Sequence, residues 1–164
     1  MSAPPPRTRS GQMRAIGAEI RALMVTMVEK FEVGGYNPTP ALDLGALIAH
    51  ADGTIDAEEM EALRMVLEPL LGAQLDPELV GYLIEASVDV IRQAGVEPRV
   101  RVIAEILLDC DAVEEGVLIA LAVAFASQGL SAPERAVITQ LARATRLDDD
   151  RLRALEARIR GFYS

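Results

Sequence analysis

The sequence predicts an all-α fold: a single-domain helical bundle of about eight helices built from two pseudo-symmetric halves. Three observations predict it. Apolar residues recur at spacings of three and four along most of the chain, signals that start and stop helices divide it at short intervals, and one pattern of helix, glycine turn and helix occurs twice. The 164 residues match one ordinary domain, and 51% hydrophobic residues are ample for one core. No segment reads as a strand.

Residues 1–10, with Pro4, Pro5 and Pro6, read as a disordered tail. Met13, Ile16, Ile20, Leu23, Met27 and Phe31 then place one apolar stripe on an amphipathic first helix over residues 11–35, which Gly34 and Gly35 end. The helical domain proper follows over 36–164. Thr39 before Pro40 opens a second helix with Leu44, Leu47, Ile48 and Ala51 on one face, and Asp52 and Gly53 end it. Asp56 with Glu59 is a capping-box pattern that starts a third helix to about Leu71, with Met60, Leu63, Leu67 and Leu70 inward. Asp76 and Pro77 open a fourth to about Ala94, and Pro98 starts a fifth through Cys110. Asp111 with Glu114 reads as a cap for an apolar sixth helix, Ser131 with Glu134 as the cap of a seventh, and Asp148, Asp149 and Asp150 gather at the head of an eighth.

Composition removes much enzyme chemistry. A single Cys excludes an intramolecular disulfide and a cysteine-based zinc site, and a single His excludes a multi-histidine metal centre within one chain. Six aromatics without Trp offer no stacking platform for single-stranded nucleic acid. The net charge of −9 is unevenly spread: residues 31–130 hold four basic and eighteen acidic groups, while both ends are mildly basic. Such a middle repels phosphate and attracts cations or basic protein surfaces, so nucleic acid is not an expected partner. The longest apolar run, 116–126, is too short to span a bilayer. Glu19 and Arg21 interrupt the first apolar stretch and leave no clean secretory signal, so the expected location is cytoplasmic. No phosphate-binding glycine loop, serine-nucleophile motif or zinc-hydrolase signature occurs, and no small-molecule substrate is evident.

The repeated pattern is His50-Ala-Asp-Gly-Thr-Ile-Asp-Ala-Glu-Glu59 and Ala126-Ser-Gln-Gly-Leu-Ser-Ala-Pro-Glu134. The second copy is one residue shorter and has Gln128 where the first has Asp52. On residues 51–59 and 129–135 the chain resembles the TerB-like domains of tellurite-resistance protein B, which also occur beside J-domains in a membrane-anchored co-chaperone. The resemblance covers about residues 38–160. It implies an all-helical bundle without an established reaction, a divalent-cation site at acidic positions, and a role in bacterial stress-response complexes peripheral to the inner membrane. Asp52 and Glu59 match the family's acidic positions in the first half and Glu134 in the second, whereas Gln128 departs from them.

Residues 52–59 also look like the latter half of an EF-hand loop, but aligning Gly53 with the sixth loop position puts Ile48 and His50 where two oxygen ligands are needed, which excludes an EF-hand. Helix capping accounts for Asp56 and Glu59 without any ligand. Asp52 is different, because a carboxylate at a helix C-terminus is unfavourable unless a cation or donor compensates it. Asp52, Asp56, Glu58 and Glu59 are therefore the candidate ligands for one divalent cation, Mg²⁺ or Ca²⁺, with water completing the shell. His50 stands as an added nitrogen ligand or as a partly exposed polar residue, and Cys110, between Asp109 and Asp111, as a small core residue rather than a nucleophile. The reading is a non-catalytic interaction or scaffold domain with a protein partner. The alternative is a co-chaperone-like or membrane-proximal adaptor without metal, docking through its first helix or through the last one, where Arg151, Arg153, Arg158 and Arg160 alternate with Leu152, Leu155, Ile159 and Phe162.

Overall fold

Helical periodicity is realised throughout the computed structural model, which describes residues 9–36, 39–52, 55, 57, 60, 63–64, 77–127 and 130–162. The described α-helices are α1 (Arg9–Val33), α2 (Thr39–Ala49), α3 (Pro77–Ala94), α4 (Val96–Asp109), α5 (Val113–Ser127), α6 (Ala132–Ala144) and α7 (Asp149–Arg160), and no strand occurs among the described residues. The helix expected after Asp56 lies mostly outside them, but Ala57, Met60, Leu63 and Arg64 are all helical. Residues 1–8 of the expected tail also lie outside, and α1 already begins at Arg9.

Two helices form the centre because they are mostly apolar, with Asp43 the one charged residue of α2 and Glu114 and Glu115 confined to the first turn of α5. Ala41, Leu42, Leu44, Ala46, Leu47, Ile48 and Ala49 of α2 are buried, as is every residue from Val117 to Ala124 of α5. These helices pack on each other, and the rest surround them in a matching way. In the first half α2 lies on α3, as α5 lies on α7 in the second; α5 also packs on α1, as α2 packs on α4. Each half thus covers the central helix of the other, and both share one core. The α1 stripe joins this core through Met27 and Phe31, with Met24 buried as well.

The helix ends show where local patterns misled. Asp111 does not cap the helix of Val113–Ser127. It takes the left-handed conformation, φ 53°, and closes the end of α4: its N–H donates to the carbonyl of Leu108 at 3.3 Å, and the N–H of Ala112 donates to that of Leu107 at 2.9 Å. This is a Schellman ending with Asp in the place glycine usually takes, tolerated because Asp is among the few residues that enter that region readily. The carbonyl of Ala112 then accepts the first bond of α5 from Gly116, so Ala112 sits at the cap, and the Glu114 carboxylate is free to reach α7. α1 ends in the same way with Gly35 at φ 83° and α6 with Arg146 at φ 61°. Pro98 lies inside the first turn of α4, which opens at Val96.

The expected cap of α6 is present in full. Ser131 Oγ accepts from the N–H of Glu134 at 3.2 Å, and Glu134 Oε1 accepts from the N–H of Ser131 at 3.1 Å. Asp148 caps α7 by accepting from the N–H of Arg151 at 2.7 Å. Each such cap contributes about 1 kcal/mol.

The arginines of α7 are engaged within the chain. Arg151 grips Glu114 through two bonds of 2.6 Å, Arg158 pairs with Glu19, Arg153 stands 3.8 Å from Asp150, and Arg160 bonds Glu156 at 2.9 Å and lies over the Phe125 ring. Glu156 is held from both sides, since Arg135 also donates to it at 2.7 Å. The hydrogen bond from Arg135 holds the Glu156 carboxyl below its ordinary value of 4.5 against the opposing effect of burial. A carboxyl with a depressed folded pKa stabilises fully above its unfolded pKa, and that stabilisation is lost as pH falls through the folded value. Urea unfolding of the wild type should therefore weaken below about pH 4.5 more steeply than that of Glu156→Gln. Parallel pH profiles would show that this pair contributes nothing.

Candidate functional site

α2 delivers the chain to the acidic turn. Its last α-helical residue is Ala49, and His50–Asp52 tighten into one 3-10 turn before residues 53–59. A 3-10 turn at a helix C-terminus is a common way to satisfy the final carbonyls. His50 is half-buried, with Nδ1 buried and without a hydrogen-bond partner. Burial, followed by the nearby charge of Arg92, pushes its pKa below the ordinary imidazole value. The neutral ring is therefore favoured, as expected for a desolvated imidazole beside a guanidinium.

The position of α3 beside this turn is fixed by a polar brace. Asp43 of α2 accepts from Ser87 Oγ of α3 at 2.6 Å through Oδ1 and from Arg99 Nη2 of α4 at 2.8 Å through Oδ2. One carboxylate thus joins three helices. Ser87 is buried and the Asp43 side chain is only 15% exposed, so the bonds act where water competes little.

Between α3 and the turn lies a cleft of about 340 Å³, lined by Ile55, Met60, Ile84, Glu85, Val88, Asp89 and Arg92. Four of these side chains are apolar, two are carboxylates one helical turn apart, Glu85 and Asp89, and Asp89 stands 3.5 Å from Arg92. Sequence reasoning did not single out these α3 residues. Glu85 and Asp89 lie on the exposed side of α3, and the packing of α3 against α2 brings them to the turn.

Of the four acids expected to bind a cation, Asp56, Glu58 and Glu59 lie outside the described residues, and of Asp52 only the backbone is described, as the end of the 3-10 turn. Gln128, its counterpart in the second copy, also lies outside. Among the described residues no group of three or more His, Cys, Asp or Glu side chains is placed to hold a metal ion. Cys110 is buried against Gly34, and burial, with Asp109 adding to it, pushes its thiol pKa up. No described helix is long and apolar enough to cross a membrane.

The family model described as Tellurite resistance protein TerB matches residues 40–157. The chain belongs to the TerB family. No curated protein and no solved structure matches it. The match begins at the head of α2 and ends within α7, so the TerB domain takes in the brace, the turn and the cleft, while all of α1 precedes the matched region.

Proposed function

We propose that this TerB-family chain is a non-catalytic interaction module, acting in a stress-response assembly, whose working surface is the acidic turn after α2 together with the adjoining cleft. The observation that carries the reading is the cleft itself. It brings the apolar side chains of Ile55, Met60, Ile84 and Val88 together with the carboxylates of Glu85 and Asp89, whereas the arginines of α7 are engaged by acids of the same chain. Among the described residues, two potential nucleophiles elsewhere in the chain are held inactive, which supports a binding role over catalysis. Cys110 is buried with its thiol pKa raised, and Ser131 is held in a helix cap. Site-specific photo-crosslinking in the native host tests the reading. A crosslinker replacing the exposed Ala57 beside the cleft should give discrete protein adducts, and one replacing the exposed Arg153 on α7 should not. Equal yields, or none from Ala57, would refute it.

The second clause of the proposal is one divalent cation at Asp52, Asp56, Glu58 and Glu59. Its support is chemical. An all-carboxylate donor set suits a hard ion such as Mg²⁺ or Ca²⁺, the Asp52 carboxylate belongs to the C-terminal end of a helical segment, and Glu85 and Asp89 add negative potential nearby. Calorimetric titration with each ion should give saturable heat with the wild type and none with Asp52→Ala. Equal heats from the two would remove the metal from the account.

A further inference from the structure

The outward face of α3 carries a feature that the fold does not use. The inner face buries Ile84, Ser87, Val88 and Ile91, yet Leu79, Tyr82, Ala86 and Val90 recur at spacings of three, four and four on the opposite side and are exposed, Tyr82 by 67%. α3 is thus apolar on two sides, although only one faces the core. A surface helix normally keeps its outer side polar. Beside this stripe, on the flank toward the cleft, stand Glu85 and Asp89 one helical turn apart, an acidic ridge along the apolar one. On the same flank of α3, Arg92 is paired with Asp89.

We propose that this face docks a basic amphipathic helix of a partner protein, a reading that rests on the interaction-module function above and names the chemistry of its partner. The occupant follows from charge complementarity. An apolar stripe accepts the leucine-like side chains of a helix laid along it, and the acidic ridge accepts lysine or arginine on that helix's flank. Tyr82, a large amphipathic side chain at the middle of the stripe, is the type that dominates such contacts. A second copy of this chain would bring the same acidic ridge against the first and be repelled, in keeping with a net charge of −9. An anionic lipid surface would be repelled as well.

The probe is a designed helical peptide with leucines along one face and lysines flanking them; the control has the same leucines and flanking glutamates. Binding is followed by anisotropy and mapped by amide chemical shifts on the full chain. The lysine peptide should bind saturably, with shifts confined to α3 and to Ile55 and Met60 across the cleft. Tyr82→Ser should weaken it about tenfold or more. Glu85→Lys combined with Asp89→Lys should abolish it and transfer binding to the glutamate peptide. All three positions are exposed, and unchanged circular dichroism would confirm that the variants fold. Absence of saturable binding, equal affinity for the two peptides, shifts centred on α1 or α7, or binding to anionic phosphatidylglycerol vesicles through the Tyr82 face would each overturn the proposal. Such failure concerns this surface alone, since the crosslinks expected from Ala57 do not depend on the peptide.

Discussion

Leu47→Ala should lower the folding stability of this chain by about 3 kcal/mol, and Leu118→Ala should do the same. Leu47 sits on α2 and Leu118 on α5, each at most 2% exposed, and these two helices pack on each other at the centre of the bundle. Truncating either removes several buried methyl and methylene groups and leaves a cavity that close-packed neighbours fill only in part. For a chain of this size the loss corresponds to a fall in Tm of roughly 6–12 °C. The control is Leu108→Ala. Leu108 is the same residue type on α4 but 43% exposed, so its truncation should cost well under half as much. Thermal and urea unfolding of the three variants would decide it. Comparable losses at Leu108 and Leu47 would mean that the core does not lie where α2 and α5 meet.

The second large effect is expected from adding volume. Gly116 lies near the start of α5 against Leu107 of α4, and a Cβ at its position would come within 2.7 and 2.8 Å of the two Leu107 methyl carbons. Leu107 is itself buried and has little room to withdraw. Alanine here would gain up to about 1 kcal/mol of helix propensity against that clash, and the two effects oppose each other. Valine removes the ambiguity, because its branched Cβ adds two further carbons to the conflict. Gly116→Val should cost about 3 kcal/mol, the upper end of what overpacking usually costs. Leu107→Ala in the Gly116→Val background should recover part of it, so that the double variant is more stable than the summed single losses predict. Simple additivity would show that the two residues do not meet.

Most of the bundle was legible in the sequence because its signals are local. Gly35 and the Ser131–Glu134 box each act within one turn of helix, and both occur where the pattern put them. The central place of α5 follows from its unbroken apolar run, 116–126, whereas α2 showed one apolar face, and its burial on the other sides comes from the helices packed around it. Asp111 and Glu114 were misread for an equally local reason. An Asp followed three residues later by a Glu fits an N-cap, but the same Asp serves as the left-handed end of the preceding helix when the connection is short, and Glu114 then pairs with Arg151, 37 residues away. The α7 arginines posed the same difficulty, since spacing alone does not tell a docking face from one already paired with Glu19, Glu114 and Glu156. At the candidate site the acidic turn was visible as a motif. Its second wall was not, because Glu85, Asp89 and Arg92 approach it only through the brace of Asp43, Ser87 and Arg99, a set of contacts between residues 44 and 56 positions apart in sequence.

Native-state hydrogen exchange tests most directly whether two related halves share one core. The account predicts that the slowest amides lie in both α2 and α5 and that the two sets exchange with one common free energy, equal to that of global unfolding. Protection of α5 that persists while α2, α3 and the turn exchange through a separate, lower-energy opening would contradict it.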